Sequence, residues 1–202
     1  MEGRRQGRRV VVMGVCGSGK TAVGRALGRA LAGRRGAGPG PGTGAGGGRE
    51  GAWAFRDGDV WHSAASKKKM AAGVALEDSD RAEWLQALGG VLRGWTAASE
   101  DGGLVLACSA LKRSYREALR EHASPASLHF VCLKPPEEEL RRRIEERSHE
   151  FMPATLLDSQ LETLELPAAS GSDAAILVAG AEALQPPEAI ADAVARKLQG
   201  LW

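Results

Sequence analysis

The residues best suited to chemistry form one short run, Gly14-Val15-Cys16-Gly17-Ser18-Gly19-Lys20-Thr21. The run fits the pattern G-x-x-x-x-G-K-[ST], in which glycines let backbone N–H groups close around a phosphate chain. Lys20 supplies a mobile positive charge for the β- and γ-phosphates of a nucleotide, and the Thr21 hydroxyl can enter the coordination sphere of Mg²⁺. The spacing therefore predicts a nucleotide-binding phosphate loop between a strand and a helix.

A second polar group follows the next apolar segment. Trp53-Ala54-Phe55-Arg56 is typical of a strand, and it leads into Asp57-Gly58-Asp59 and His62. Side chains at the carboxyl end of a strand in an open α/β sheet face the crevice where ligands bind. Asp59 is suited to orient a substrate hydroxyl and accept its proton, and Asp57 to hold a metal-bound water. A simple Asp-Gly turn is the alternative interpretation of this pair.

Basic residues recur further along the chain. The run Lys67-Lys68-Lys69 is by itself typical of a solvated face. Arg143 and Arg147 come late in the helix that begins at Pro136. Their positive charges interact favourably with the negative C-terminal end of the helix dipole, and they are equally able to reach a phosphate. The exposed turn 148–153 and a further helix through about Glu162 complete a basic helix-turn-helix, which predicts a closing lid.

The elements that must position these groups alternate between apolar strands and amphipathic helices. Strands are predicted at 9–13, 53–56, 104–107, 128–133 and 175–178. Helices are predicted at 22–32, over an apolar pattern that runs from Trp84 to Trp95, around Tyr115 and Arg116, from Pro136, in a segment that ends at about 162, and at 187–198. This alternation predicts a parallel sheet between two helical layers. Asp78 or Ser79 is predicted to cap the second of these helices, whose tryptophans, Trp84 and Trp95, belong to the core.

Length, composition and charge limit the folds and functions that the chain can have. The 202 residues suit one α/β domain, and the net charge of +2 gives no electrostatic footprint of a nucleic-acid binder. Glycine fills ten of the nineteen positions from 33 to 51, which predicts a disordered surface insertion. No apolar run approaches the roughly 18 residues of a membrane span, so we expect no membrane partner. Three cysteines without C-x-x-C spacing indicate reduced thiols in a cytoplasmic protein, although oxidation of Cys16 within the loop is a regulatory alternative.

Several segments together resemble the small ATP-dependent gluconokinases of the P-loop kinase superfamily. They are residues 14–21, Asp57-Gly58-Asp59-x-x-His62, Lys69-Met70-x-x-Gly73-x-x-Leu76-x-Asp78-x-Asp80-Arg81-x-x-Trp84-Leu85, Cys108-Ser109-Ala110-Leu111-Lys112 with Tyr115-Arg116, and Phe151 with Gln160-x-Glu162-Thr163-Leu164. A phosphate loop alone is common to many unrelated proteins, whereas this ordered set is specific to the family.

The resemblance implies transfer of the γ-phosphoryl group of Mg²⁺-ATP to the terminal hydroxyl of D-gluconate, which gives 6-phosphogluconate. It also implies a three-layer α/β/α P-loop kinase fold with a five-stranded parallel sheet in the order 2-3-1-4-5, a helical lid and commonly a homodimer. By the same comparison Lys20, Asp59 and Arg147 are expected to be catalytic, and Arg143 to contact ATP. The residues expected to bind substrate are Asp59, His62, Lys69, Arg81 and Lys112.

The chain departs from the family pattern at two positions that bear on substrate affinity. Ser66 replaces an asparagine, and Glu150 replaces a histidine of the lid. Two alternatives therefore stay open: another small-molecule kinase of this fold, acting on shikimate or a nucleoside, and a non-catalytic ATP-binding homologue.

Overall fold

The structure, a computed structural model, describes residues 7–33, 53–95, 102–123, 127–146 and 154–202. Its sheet is built around β1 (Arg8–Met13), whose valines Val10 to Val12 are fully buried. β1 pairs in parallel with β3 (Gly103–Ala107) on one side and with β4 (Leu128–Lys134) on the other. β2 (Trp53–Asp57) lies outside β3, and β5 (Ile176–Ala179) lies outside β4. The order β2-β3-β1-β4-β5 confirms the predicted sheet.

Two apolar cores cover the two faces of the sheet, because successive side chains of a strand point to opposite sides. Val10 and Val12 pack with α1 (Lys20–Gly33) and α7 (Pro187–Gln199). Val11 and Met13 pack on the other face with α3 (Asp78–Gly94) and α4 (Arg113–Glu121). The three-layer arrangement is therefore the predicted one.

The remaining helices of the described part lie around the carboxyl edge of the sheet or after its last strand. They are α2 (Ala64–Ala71), α5 (Glu137–Glu146), α6 (Ala154–Thr163) and two short 3₁₀ turns at Gly58–Trp61 and Gly180–Leu184. Sequence periodicity did not predict α2, which has a single buried residue, Ser66. The Ser63 hydroxyl caps it by accepting the Ser66 N–H at 3.0 Å.

The predicted cap of α3 is wrong, because Asp78 and Ser79 already belong to the helix. Glu77 is the N-cap, and it forms a capping box with Asp80, whose carboxylate accepts the Glu77 N–H at 2.9 Å. Trp84 lies in the core as predicted, with 2% of its surface exposed.

Several predictions fall outside the described residues. They are Arg147, the turn 148–153 with Glu150 in it, and the glycine-rich insertion after Gly33, the last residue of α1. Within the described ranges, no helix has the length and apolar character needed to cross a membrane. None of the three cysteines forms a disulfide bond, and burial raises the pKa of Cys108 to about 12 and that of Cys132 to about 11, as expected for inert thiols.

Candidate active site

A cavity of about 910 Å³ opens at the carboxyl edge of the sheet. It brings together the phosphate loop after β1, the turn after β2 and the start of the loop after β3. Its walls are completed by α2, α3, α5 and α6. The polar residues that line it are Thr21, Lys20, Asp57, Asp59, His62, Arg81, Ser109, Ser159 and Gln160.

The phosphate loop joins β1 to α1, and its three glycines, Gly14, Gly17 and Gly19, have positive φ angles. Gly14 has φ of +144°, and a side chain there would begin 2.5 Å from the Leu133 carbonyl oxygen. Only glycine fits this position without displacing β4. Lys20 reaches back over the loop, and its Nζ atom donates to the Val15 carbonyl oxygen at 2.8 Å. The amine is therefore held beside the concave side of the loop.

Asp57 ends β2 next to the start of α1. Its Oδ2 atom accepts the Thr21 hydroxyl at 2.9 Å, and its Oδ1 atom accepts the Asp59 N–H at 3.2 Å. A hydroxyl and a carboxylate at this separation offer the hard oxygen donors that Mg²⁺ prefers. No cluster of three or more His, Cys, Asp or Glu residues that would form a protein-only metal site occurs among the described residues. The pair thus fits a metal that is shared with a phosphate chain.

Gly58 lies between the two aspartates and packs directly on β3. A Cβ atom there would lie 2.6 Å from the Ala107 carbonyl oxygen. The Gly58 carbonyl oxygen accepts the Nε1–H group of Trp84 at 2.9 Å. The turn is therefore held in place by its packing against β3 and by the hydrogen bond from Trp84 of α3.

Asp59 and His62 line the cavity one helical turn apart. The Asp59 side chain is 67% exposed, and its Oδ1 atom lies 3.9 Å from His62 Nε2. His62 is buried and stacks on Trp84, with ring centroids 4.4 Å apart. Burial lowers the pKa of His62, so the imidazole is neutral near pH 7. Its Nδ1 atom has no hydrogen-bond partner among the described residues.

Arg81 is the substrate-binding candidate of α3 that faces the cavity. The residue is 9% exposed, and its Nε atom is buried without a hydrogen-bond partner in the described part of the chain. Its guanidinium also lies 5.5 Å from the centre of the Tyr115 ring. A buried cation with an unused donor is suited to an anionic ligand.

Lys69 and Lys112, the other two predicted substrate-binding cations, are paired with carboxylates and do not line the cavity. Lys69 Nζ lies 2.7 Å from Asp80 Oδ1, and Lys112 Nζ lies 2.7 Å from Asp78 Oδ1. Hydrogen bonds from Lys112 and from the Tyr115 hydroxyl lower the pKa of Asp78. A role of these lysines toward substrate stays a prediction.

Ser66, where the chain departs from the family pattern, does not line the cavity either. It is 2% exposed, and its hydroxyl contacts the Ser63 hydroxyl at 3.0 Å and the Asp80 carbonyl oxygen at 3.5 Å. Its described contacts join the start of α2 to α3.

Arg143 extends from α5 to the tip of the phosphate loop. Its Nη1 atom donates to the Gly17 carbonyl oxygen at 3.3 Å, and its Nε atom donates to Glu139 Oε1 at 2.6 Å. Bonds from Arg142 and Arg143 lower the pKa of Glu139 to about 2. Glu139 therefore stays ionised and holds the guanidinium at the loop.

Sequence reasoning assigned no role to Gln160, which lies on α6. Its Oε1 atom accepts the backbone N–H of Cys16 in the phosphate loop at 2.7 Å. The residue stood within the family-like segment 160–164, but no periodicity or spacing indicated that α6 approaches the loop. Trp84 was expected only in the core, and its contacts with Gly58 and His62 likewise needed the tertiary structure.

Comparisons with known proteins find relatives over most of the chain. Residues 10–154 match a family model described as an AAA domain. A gluconokinase from Gluconobacter oxydans (strain 621H) is 38% identical over 192 residues, which cover 95% of this chain and 92% of that protein. A thermosensitive gluconokinase from Escherichia coli (strain K12) is 35% identical over 167 residues, covering 83% and 76%.

Two solved structures are similar over nearly the whole chain. A gluconokinase from Sinorhizobium meliloti 1021 is 36% identical, with a TM-score of 0.69 and coverage of 98% of both chains. An unliganded sugar kinase from Janibacter sp. HTCC2649 is 34% identical, with a TM-score of 0.74 and coverage of 96% of this chain and 95% of that one.

Proposed function

This chain belongs to the gluconokinase family, and we propose that it transfers the γ-phosphoryl group of ATP to the terminal hydroxyl of D-gluconate, giving 6-phospho-D-gluconate and ADP. The proposal for the site depends on which groups meet in the cavity. A single cavity combines a phosphate loop, a carboxylate suited to act as base and a buried arginine with an unused donor. These three groups match the phosphate chain, the attacking hydroxyl and the carboxylate of the substrates.

The phosphate loop, residues 14–21, binds the ATP phosphates in this proposal. Lys20 leaves the Val15 carbonyl oxygen and pairs with the β- and γ-phosphates, where it stabilises the charge that develops during transfer. Arg143 makes a similar exchange from the Gly17 carbonyl oxygen to a phosphate oxygen. The catalytic role of Arg147 stays a prediction.

Thr21 and Asp57 would hold Mg²⁺ in this proposal, and the carboxylate would act through a metal-bound water. When bound, the ion neutralises negative charge on the β- and γ-phosphates. Both oxygen groups already lie 2.9 Å apart at the start of α1. β2 therefore does not have to move toward the phosphate loop for the ion to bind.

Asp59 is the group that accepts the proton of the attacking hydroxyl. Asp57 is already engaged by Thr21 and by the Asp59 N–H, whereas most of the Asp59 side chain is exposed. His62 is neutral, so it can hydrogen-bond a substrate hydroxyl without adding a second positive charge. Asp59 and His62 together orient the substrate hydroxyl toward the γ-phosphate.

Arg81 binds the gluconate carboxylate. Because Arg81 is buried, a charge-assisted hydrogen bond from its unpartnered Nε–H group to a carboxylate is favourable. A nucleoside substrate would instead call for aromatic and amide groups that stack on the base and hydrogen-bond to it. Lys69 and Lys112 reach the substrate only when it displaces Asp80 and Asp78 from them.

The competing activities are separated by turnover of a substrate panel. ADP release from Mg²⁺-ATP is measured with D-gluconate, shikimate and nucleosides, each at the same concentration. We expect stimulation by gluconate above all others. Turnover of shikimate or a nucleoside without gluconate turnover would replace the proposed substrate, and ATP binding without any stimulation would support a non-catalytic homologue. A single domain over residues 1–202, a homodimer and a cytoplasmic location stay predictions.

A further inference from the structure

We propose that Gln160 is a positioning residue for phosphoryl transfer, which fixes the tip of the phosphate loop by holding the Cys16 N–H group. The inference rests on the proposed function for its effect on turnover, but its effect on nucleotide binding does not depend on the second substrate. The contact joins residues that are 144 positions apart in the chain.

The bond is short and lies in the wall of the cavity. Gln160 Oε1 accepts the Cys16 N–H at 2.7 Å, and both residues line the space in which the phosphate chain is expected. A backbone N–H of a phosphate loop is ordinarily a donor for the anion or for water. Here a protein side chain takes it, so this peptide unit is oriented before any nucleotide arrives.

Helix α6 and the residues just after it contact the phosphate loop and the segment after β3. Leu157 is 1% exposed and packs in a cluster with Val15 of the phosphate loop. Just after the helix, the Glu165 N–H donates to the Leu111 carbonyl oxygen at 3.0 Å, and the Glu165 carboxylate accepts the Arg113 N–H at 2.6 Å. The carboxamide therefore extends from an anchored helix.

A second peptide unit of the loop, the one between Gly17 and Ser18, is held by α5. Arg143 on α5 donates to the Gly17 carbonyl oxygen at 3.3 Å. In the proposed reaction Arg143 leaves this oxygen for a phosphate. Gln160 carries no charge, so no attraction to the anion draws its carboxamide away from the Cys16 N–H. Gln160 is thus the contact that keeps the loop tip in place while the cation moves.

A pre-oriented loop binds phosphate more tightly because less conformational freedom is lost on binding. A neutral hydrogen bond of this kind contributes a net of about 0.5–1.5 kcal/mol, which corresponds to about a 2- to 10-fold change in affinity. Loss of the bond should therefore raise the dissociation constants of ATP and ADP by about 2- to 10-fold. The KM for gluconate should stay unchanged, a split that general destabilisation of the fold would not produce.

The test compares two variants with a matched control in the full chain. Gln160→Met keeps the length of the side chain but removes the acceptor, and Gln160→Asn keeps the carboxamide but is one methylene too short to reach. Gln86→Met makes the same substitution at an exposed position of α3 that does not line the cavity. Nucleotide affinity is measured by titration with ATP and ADP in the absence of gluconate.

A second readout observes the bond itself. With only three cysteines, ¹⁵N-cysteine labelling gives one amide signal each for Cys16, Cys108 and Cys132. In both Gln160 variants the Cys16 amide should change its chemical shift and exchange with solvent about 2- to 10-fold faster. The Cys108 and Cys132 signals, from the buried strand region, should not move. Gln86→Met should leave all three signals as in the wild type.

Weakened nucleotide binding together with a changed Cys16 signal would support the proposal. An unchanged Cys16 signal, or wild-type affinity for ATP and ADP in the Gln160 variants, would overturn it. If Gln160→Met does not fold, Gln160→Asn decides in the same way. Wild-type protein that binds ATP but does not phosphorylate gluconate would refute the proposed function and leave this inference standing on the binding data.

Discussion

At the scale of single residues, the two aspartates of one turn have separate tasks. Asp57 is fixed between Thr21 and the Asp59 N–H, and Asp59 presents most of its carboxylate to the cavity. We expect Asp59→Asn to lower kcat by about 10²- to 10⁴-fold, because the amide cannot accept the hydroxyl proton. The dissociation constant for ATP should stay within about twofold, since the contacts described for Asp59 are with Asp57 and His62.

Turnover and ATP titrations of Asp59→Asn are compared with those of Asp192→Asn. Asp192 is exposed on α7 and does not line the cavity, so the control should behave as the wild type. A kcat that survives in Asp59→Asn would mean that the base lies elsewhere.

His62 makes stability depend on pH in a defined direction. Its pKa is lowered in the folded chain by burial, so as the pH falls below about 6.5 the unfolded chain takes up the proton first. The free energy of unfolding should therefore decrease from about pH 6.5 downward. His62→Phe keeps a ring on Trp84 and should flatten this decrease, measured by urea unfolding between pH 8 and 5.

Burial also lowers the pKa of His129, so His62→Phe should remove only part of the pH dependence. His129→Phe is the companion variant, and both substitutions together should leave the smallest slope. A slope in His62→Phe equal to that of the wild type would show that the imidazole is not protected from protonation.

Residue roles differ in how far the sequence alone could predict them. The phosphate loop is defined by local spacing, so Lys20 and Thr21 were found directly. The acid partners of Lys69 and Lys112 lie on α3, 11 and 34 positions away, and no pattern indicates such pairs. The same limitation applies to Gln160, whose partner depends on the approach of α6 to the loop.

At the scale of elements, the turn after β2 is positioned by close backbone packing. We expect Gly58→Ala to lower kcat by about 100-fold, because a Cβ atom 2.6 Å from the Ala107 carbonyl oxygen must displace the turn that carries both aspartates. Overpacking should also reduce the free energy of unfolding by about 1–3 kcal/mol. Steady-state kinetics and urea unfolding measure the two effects.

Gly90→Ala is the matched control for this substitution. Gly90 lies within α3, and a Cβ atom there would meet nothing within 4 Å. This variant should keep its activity and gain up to about 1 kcal/mol of stability from helix propensity. Equal kcat values in Gly58→Ala and Gly90→Ala would contradict the role of the turn.

All five strands were predicted to within one residue at each end, because buried parallel strands are continuous apolar runs. α2 was missed for the opposite reason. Its sequence AASKKKMA offers no apolar stripe, and it depends on the Ser63 cap and on the pair of Lys69 with Asp80. Such a helix is specified by tertiary contacts more than by its own pattern.

At the scale of the whole molecule, one buried ion pair ties α4 to the segment before β5. Arg116 is fully buried, and its guanidinium binds both carboxylate oxygens of Asp173 at 2.7 and 2.6 Å. It also donates to the carbonyl oxygens of Ala110, Leu111 and Glu165. The loop after β3 and the chain after α6 are thereby joined at one point.

We expect Arg116→Met to reduce the free energy of unfolding by about 3–5 kcal/mol, because it leaves the Asp173 carboxylate buried without its main partner. Thermal and urea unfolding measure the change. The double variant Arg116→Met with Asp173→Leu should recover part of the loss, since the buried carboxylate is removed as well. Recovery is incomplete because Arg120, which lies 3.2 Å from Asp173 Oδ1, loses this partner. A double variant less stable than Arg116→Met would contradict this explanation.

In the proposed reaction, this protein phosphorylates D-gluconate at its terminal hydroxyl. The most direct measurement is identification of the product after incubation with Mg²⁺-ATP and D-gluconate, by ³¹P and ¹³C nuclear magnetic resonance. We predict 6-phospho-D-gluconate in amounts equal to the ADP released. ADP formation without a phosphorylated sugar acid, or phosphate on a different hydroxyl, would contradict the proposed geometry of Asp59 and Arg81.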